Sequence, residues 1–198
     1  GVKGTVTEDF RGILVHDHEI TFYRYGSAHQ ECLAHVERYL KDSMENESSL
    51  TWNRRMRELL QRMIHYRKEH TGEGSLDAQT VAGFETEYQE ILDKAKEEYK
   101  RNEPSPYYRE GYNLYRRMQE YKTEHLLFLH DMRVPTTNNT AERCLRDYKR
   151  KQTFAMTFRS LESIEELCHS KGVLLEVRKN NPNIYTAVME IFNRRYGA

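Results

Sequence analysis

Apolar residues recur along this chain at two different periods, and the change of period marks the elements. Residues 12–17, GILVHD, form a short apolar run ending in an acid, which predicts a buried strand with Asp17 at its carboxyl end. HQECLAH, residues 29–35, predicts a second strand that runs into a helix near residue 35. Over 52–68 the rhythm changes. Trp52, Met56, Leu59, Leu60, Met63 and Ile64 recur at three- and four-residue intervals, one apolar face of a helix. TGEGS at 71–75 breaks it, and Val81, Phe84, Tyr88, Ile91, Leu92, Ala95 and Tyr99 restart the pattern on a second long helix. After NEPSP at 102–106, a third helix is expected over 111–129, and a fourth follows the Pro135 loop. Phe154, Met156 and Phe158 alternate as in a short strand. Ser160 reads as the N-cap of a helix reaching about Lys179, and a last helix covers 184–193.

This pattern outlines a helix-dominated α/β chain in three segments. Residues 1–40 form part of an α/β core, 41–130 a helical insertion, and 131–198 the closing helices of the core. Of the 198 residues, 37% are apolar and 31% charged, which suits long solvated helix faces. The formal net charge is zero, so attraction to nucleic acid has to come from local asymmetry. Two places supply it. Residues 142–159 carry six cations (Arg143, Arg146, Lys149, Arg150, Lys151, Arg159) against Glu142 and Asp147, and residues 51–70 carry six against Glu58 and Glu69. Three cysteines, Cys32, Cys144 and Cys168, are too few and odd in number for a disulfide framework. They fit a reducing, cytoplasmic compartment. No run approaches the roughly 18 apolar residues of a membrane span, and no signal peptide is visible.

Candidate chemistry concentrates in residues 135–152, PTTNNTAERCLRDYKRKQ. Read locally, Asn139 and Glu142 have the spacing of a capping box, and the cations behind them have the look of a solvated helix face. Asp17 alone reads as a residue closing a strand. Cys32 and His35 make half of a zinc site at best, because no second half sits at a familiar spacing. Taken together, an acid at a strand end and an acid in the first turn of a later helix can serve one divalent cation. Carboxylate oxygens suit Mg²⁺ or Mn²⁺, and cations beside them suit a phosphate-bearing substrate.

On these residues the chain resembles the catalytic region of insertion sequence 66 family transposases, which are DDE-type enzymes with a ribonuclease-H-like core. GILVHD at 12–17, CLAHVER at 32–38, PTTNNTAERCL at 135–145 and the stretch from Lys151 through Ser160 to Asn183, Ile184 and Tyr185 carry the resemblance in the family's order. Asn-Asn-x-Ala-Glu-Arg is its most specific string, and Cys32 with His35 a weaker companion. The resemblance implies a partial ribonuclease-H-like core, with Asp17 as the second acid of the triad and Glu142 as the third. Asn138, Asn139, Cys32 and His35 would support them, and the cations of 143–159 would meet DNA. It also implies a Mg²⁺ or Mn²⁺ cofactor and transposon-end and target DNA as partners, with self-association left open. Asp9 is the sole aspartate upstream of Asp17, and VTEDFRG does not read as a strand. The first acid is therefore expected outside this chain, which is expected to be inactive alone. The alternative is a non-catalytic helical module that binds nucleic acid or a partner.

Overall fold

The structure, a computed structural model, describes residues 4–154, 160–180 and 183–196. It divides into two compact units, Gly1–Ala141 and Glu142–Ala198. The first begins with a one-turn helix α1 (Val6–Asp9), strand β1 (Ile13–His16), a 3-10 turn (Ile20–Arg24) and strand β2 (Ala28–Glu31). Helices α2 (Leu33–Asn46), α3 (Trp52–Glu69), α4 (Ala78–Arg101), α5 (Glu110–Glu120) and α6 (Lys122–His130) follow. Helix α7 (Asn139–Phe154) crosses the division, and α8 (Leu161–Asn180) and α9 (Ile184–Tyr196) belong to the second unit.

The two strands pair in parallel, with Ile13 opposite Ala28 and His16 opposite Glu31. Parallel pairing needs a crossover, and residues 17–27 make an unusually short one built around the 3-10 turn. The return is tight. Ser27 N–H donates to the Gly12 carbonyl at 2.9 Å. Gly26 sits at φ 75°, and a Cβ there would meet that carbonyl at 2.8 Å, so only glycine fits. The carboxyl ends of β1 and β2 therefore lie side by side, with Asp17 immediately beyond one and Cys32 beyond the other.

Helices α2 to α6 bury the apolar faces foreseen from their spacing. Trp52, Met56, Leu59, Leu60 and Met63 of α3 meet Tyr88, Ile91, Leu92 and Ala95 of α4 in one core, joined by Leu33, Val36 and Leu40 of α2. Gln30, fully buried, ties the sheet to the helices. Its Oε1 accepts the Phe128 amide at 2.8 Å, and its Nε2 donates to the His125 carbonyl at 3.3 Å.

Several expectations are corrected. The second strand covers 28–31 rather than 29–35. Leu33 already belongs to α2, so Cys32 is the residue capping that helix and His35 sits in its first turn. The helix expected over 111–129 is two helices, broken at Tyr121 (φ −110°, ψ 36°). No glycine or proline causes the break. The Tyr121 ring packs instead at a tilt against Tyr23 and edge-on against His18, with centroids 4.8 and 4.9 Å away. Phe154 ends α7, and Met156 and Phe158 lie outside the described residues. Ser160 does precede α8, and its Oγ accepts the Ser163 amide at 3.2 Å. Among the described residues no helix is long and apolar enough to cross a membrane.

Candidate functional site

Asp17 is exposed in the bend that leaves β1. The next residue, His18, is a non-glycine residue at φ 67°, in the left-handed region that L side chains visit at a cost of about 1–3 kcal/mol. Its ring explains how that conformation is held. His18 Nδ1 lies 2.5 Å from Glu31 Oε1, and the ring packs edge-on against Tyr23 and Tyr121.

Glu31 is the centre of this site, and it is 1% exposed. Tyr23 Oη donates to its Oε1 at 2.6 Å. His125 Nε2 and Arg117 Nε approach its Oε2 at 3.2 and 3.3 Å. Burial works to raise the Glu31 carboxyl, but the His125 and His18 rings and the Arg117 guanidinium outweigh it and hold the carboxyl well below the usual carboxylate range. The same carboxylate, after burial, pushes the Tyr23 hydroxyl up. Behind it, His16 Nε2 faces His29 Nδ1 at 3.3 Å, and burial together with His29 lowers the His16 imidazole to about 4. Tyr88 Oη, fully buried, donates to the Met118 carbonyl at 3.1 Å and lies 3.3 Å from His125 Nδ1. The end of the sheet is thus underlain by an ionic, imidazole-rich cluster rather than by apolar packing.

Cys32 has a definite place. Its Sγ accepts the Asn138 amide at 3.4 Å, and the adjacent Leu33 amide donates to the Thr136 carbonyl at 2.9 Å. These two bonds moor the PTTNN loop to the start of α2. All three cysteines are free, Cys32 buried and Cys144 and Cys168 exposed. His35, half-buried, does not complete a ligand set. Among the described residues no group of three or more His, Cys, Asp or Glu side chains could hold a metal ion.

The second acid of interest opens the second unit. Helix α7 starts at Asn139 with Asn138 just before it, and Glu142 lies half-buried in its first turn. Arg143, Arg146, Lys149, Arg150 and Lys151 are all exposed along α7, and Arg159 lies outside the described residues. Lys171 of α8 stands 4.4 Å over the Tyr148 ring. Asp17 belongs to the first unit and Glu142 to the second. The basic face expected over 51–70 is partly consumed by structure. Arg67 Nε donates to the Phe128 carbonyl at 3.2 Å and its Nη2 to the Met132 carbonyl, while Arg62 pairs with Glu87.

Glu31, Arg117, His125 and Tyr23 were not singled out by sequence reasoning. One signal was available: four of the nine histidines, at positions 16, 18, 29 and 35, crowd around the two strands. Compared with known proteins, the chain matches over residues 2–166 the family model described as Transposase IS66 family. No curated protein and no solved structure matches it.

Proposed function

The chain belongs to the IS66 transposase family, and on that premise we propose that it carries two acids of a metal-dependent active site that cleaves and joins transposon-end DNA. The observation that carries this reading is the family match itself, whose span of residues 2–166 includes both Asp17 and Glu142. Their donor chemistry fits a hard dication, since both offer carboxylate oxygens and Asp17 is exposed beside the sheet end. Each supplies one ligand, and neither belongs to a complete ligand set among the described residues. Bound Mg²⁺ or Mn²⁺ would supply Lewis-acid activation of the attacking oxygen and charge stabilisation of the leaving one.

The protein's own residues have distinct parts in this reading. Asp17 and Glu142 are the carboxylates that would each offer an oxygen to such an ion. The bend at His18 and the Cys32-moored loop orient the segments that present them. Arg143, Arg146, Lys149, Arg150, Lys151 and Arg159 neutralise DNA phosphates, which places most of the binding in salt-sensitive contacts. The parallel strand pair is read as part of a ribonuclease-H-like core.

Glu142→Gln in the complete transposase tests the reading. Glutamine keeps local hydrogen bonding in the first helical turn but loses the charge that a hard dication requires. Cleavage of transposon-end DNA in Mg²⁺ or Mn²⁺ should fall by orders of magnitude, with DNA affinity and melting temperature almost unchanged. Cleavage at near wild-type rate would return Glu142 to a capping role.

A further inference from the structure

Helix α5 carries a set of side chains that the metal site does not use. Arg109 occupies the N-cap position of the helix, and Tyr112 and Arg116 follow at positions that share its face. They form the common wall of two clefts. One, of about 510 Å³, opens toward α4, where Lys96 and Lys100 line the far side. The other, of about 450 Å³, runs along Arg117 and Tyr121 to His18, the residue after Asp17. Across both clefts five cations face only two acids, Glu103 and Glu120. Lys100 is paired with Glu97, and Arg117 with Glu31. Arg109 and Arg116 are exposed and, among the described residues, form no salt bridge. On a chain of zero net charge, two exposed arginines of one helix without an ion pair, flanking a tyrosine at a cleft wall, favour an anionic ligand.

We propose that this strip of α5 is a track for an unpaired DNA strand, leading from the α4 side of the insertion to the bend that bears Asp17. Three features favour a single strand over other polyanions. The cations follow a groove rather than a convex face. Tyr112 packs on Tyr99 and Tyr115, and Tyr121 on Tyr23 and His18, yet both are only half-buried and line the clefts, so each ring keeps exposed surface that a base can meet. Clefts of about 510 and 450 Å³ are of a size to admit a nucleotide. A charged groove interleaved with aromatic rings is the general solution for sequence-tolerant single-strand binding. The inference rests on DNA being the substrate, but not on Asp17 or Glu142 being catalytic.

The test uses the 198-residue chain and a short fluorescein-labelled oligothymidylate, followed by anisotropy over a range of salt, with a duplex of matched length in parallel. Arg109→Ala with Arg116→Ala should weaken oligothymidylate binding and flatten its dependence on log salt by about one unit per arginine. Tyr112→Leu should weaken single-strand binding roughly five- to hundredfold while leaving duplex binding unchanged, and Tyr112→Phe should restore it. Melting curves identify any variant that fails to fold, and the exposed arginine pair serves if Tyr112→Leu does. An unchanged salt slope in the arginine variant overturns the track. So does equal loss of single-strand and duplex binding in Tyr112→Leu. Loss of cleavage in Glu142→Gln with these binding results unaffected would separate the two proposals.

Discussion

Replacing Glu31 by glutamine should unfold much of the first unit's stability margin, and the structure says by how much. The substitution keeps the side chain's shape and removes one negative charge from a site that is 1% exposed. Arg117, with a side chain 15% exposed, then remains as a cation facing a neutral amide. The amide NH₂ also points a donor at groups that already donate, namely Tyr23 Oη and the His18 ring. Breaking a buried ion pair from one side costs about 3–5 kcal/mol, a large part of the 5–15 kcal/mol typical of a domain. Trp52 is the sole tryptophan, fully buried in this unit, so its fluorescence during urea titration reports the unit directly. The expected result at pH 7 is a midpoint shifted down at similar slope, equivalent to about 3–5 kcal/mol. The pH dependence adds a second check. Because the folded Glu31 carboxyl is held below its unfolded value of 4.5, the unfolded chain takes up the proton first as pH falls. The Glu31 contribution is thus complete above pH 4.5 and is lost in stronger acid, so the gap between wild type and Glu31→Gln should narrow there. His16 acts in a separate window. Its folded value of about 4 lies below 6.5, so both proteins should lose stability as pH falls from 6.5 to 4. A cost under about 1 kcal/mol at pH 7, the size of an ordinary surface pair, would refute this account. So would a gap that stays constant into acid.

Two further substitutions probe the scaffold. Gly111→Ala should destabilise by about 1–3 kcal/mol in the same titration, because a methyl there would overlap the Glu47 carboxylate that Tyr99 Oη and Ser43 Oγ hold in place. Helix propensity alone favours alanine by about 1 kcal/mol, so a stabilised variant would show that Glu47 moves aside freely. Cys32→Ala should cost about 1 kcal/mol and speed hydrogen exchange at the Asn138 amide, with Cys32→Ser restoring protection. Unchanged exchange in the alanine variant would remove Cys32 as the mooring of the loop.

Helices α3 and α4 were legible in the sequence because their buried faces are built from period. Every residue of the α3 stripe except Ile64 is buried, and every residue of the α4 stripe except Phe84. A run of apolar residues before Asp17 was likewise enough to place β1. What was not legible depends on contacts between distant segments. Glu31 is one acid among 31 Asp and Glu residues, and its neighbours His125 and Arg117 come from α6 and α5. The end of α5 at Tyr121 has no local breaker, since ring packing on His18 and Tyr23 decides it. Arg67 read as part of a basic face because a sequence cannot show that two backbone carbonyls occupy its guanidinium.

Stability alone does not account for the cluster under the sheet end. Apolar residues of similar volume in place of a buried ionic group are often neutral or more stable by about 1–4 kcal/mol. A core that buries Leu, Met and Phe throughout α2 to α6 could have closed the sheet end the same way. Instead Glu31 is held in its charged form and fixes two things at once. Through His18 it sustains the left-handed turn that follows Asp17, and through Arg117 it pins one wall of the cleft that runs to the same turn. Neither job can be done by an apolar side chain, because both require a carboxylate with two oxygens facing different donors. Oε1 serves His18 and Tyr23, while Oε2 faces His125 and Arg117. The placement of that one carboxylate couples helix α5 to the bend at the strand end, and it follows that Glu31→Gln should disturb oligothymidylate binding as well as folding. The Arg109→Ala and Arg116→Ala pair, by contrast, should disturb binding alone.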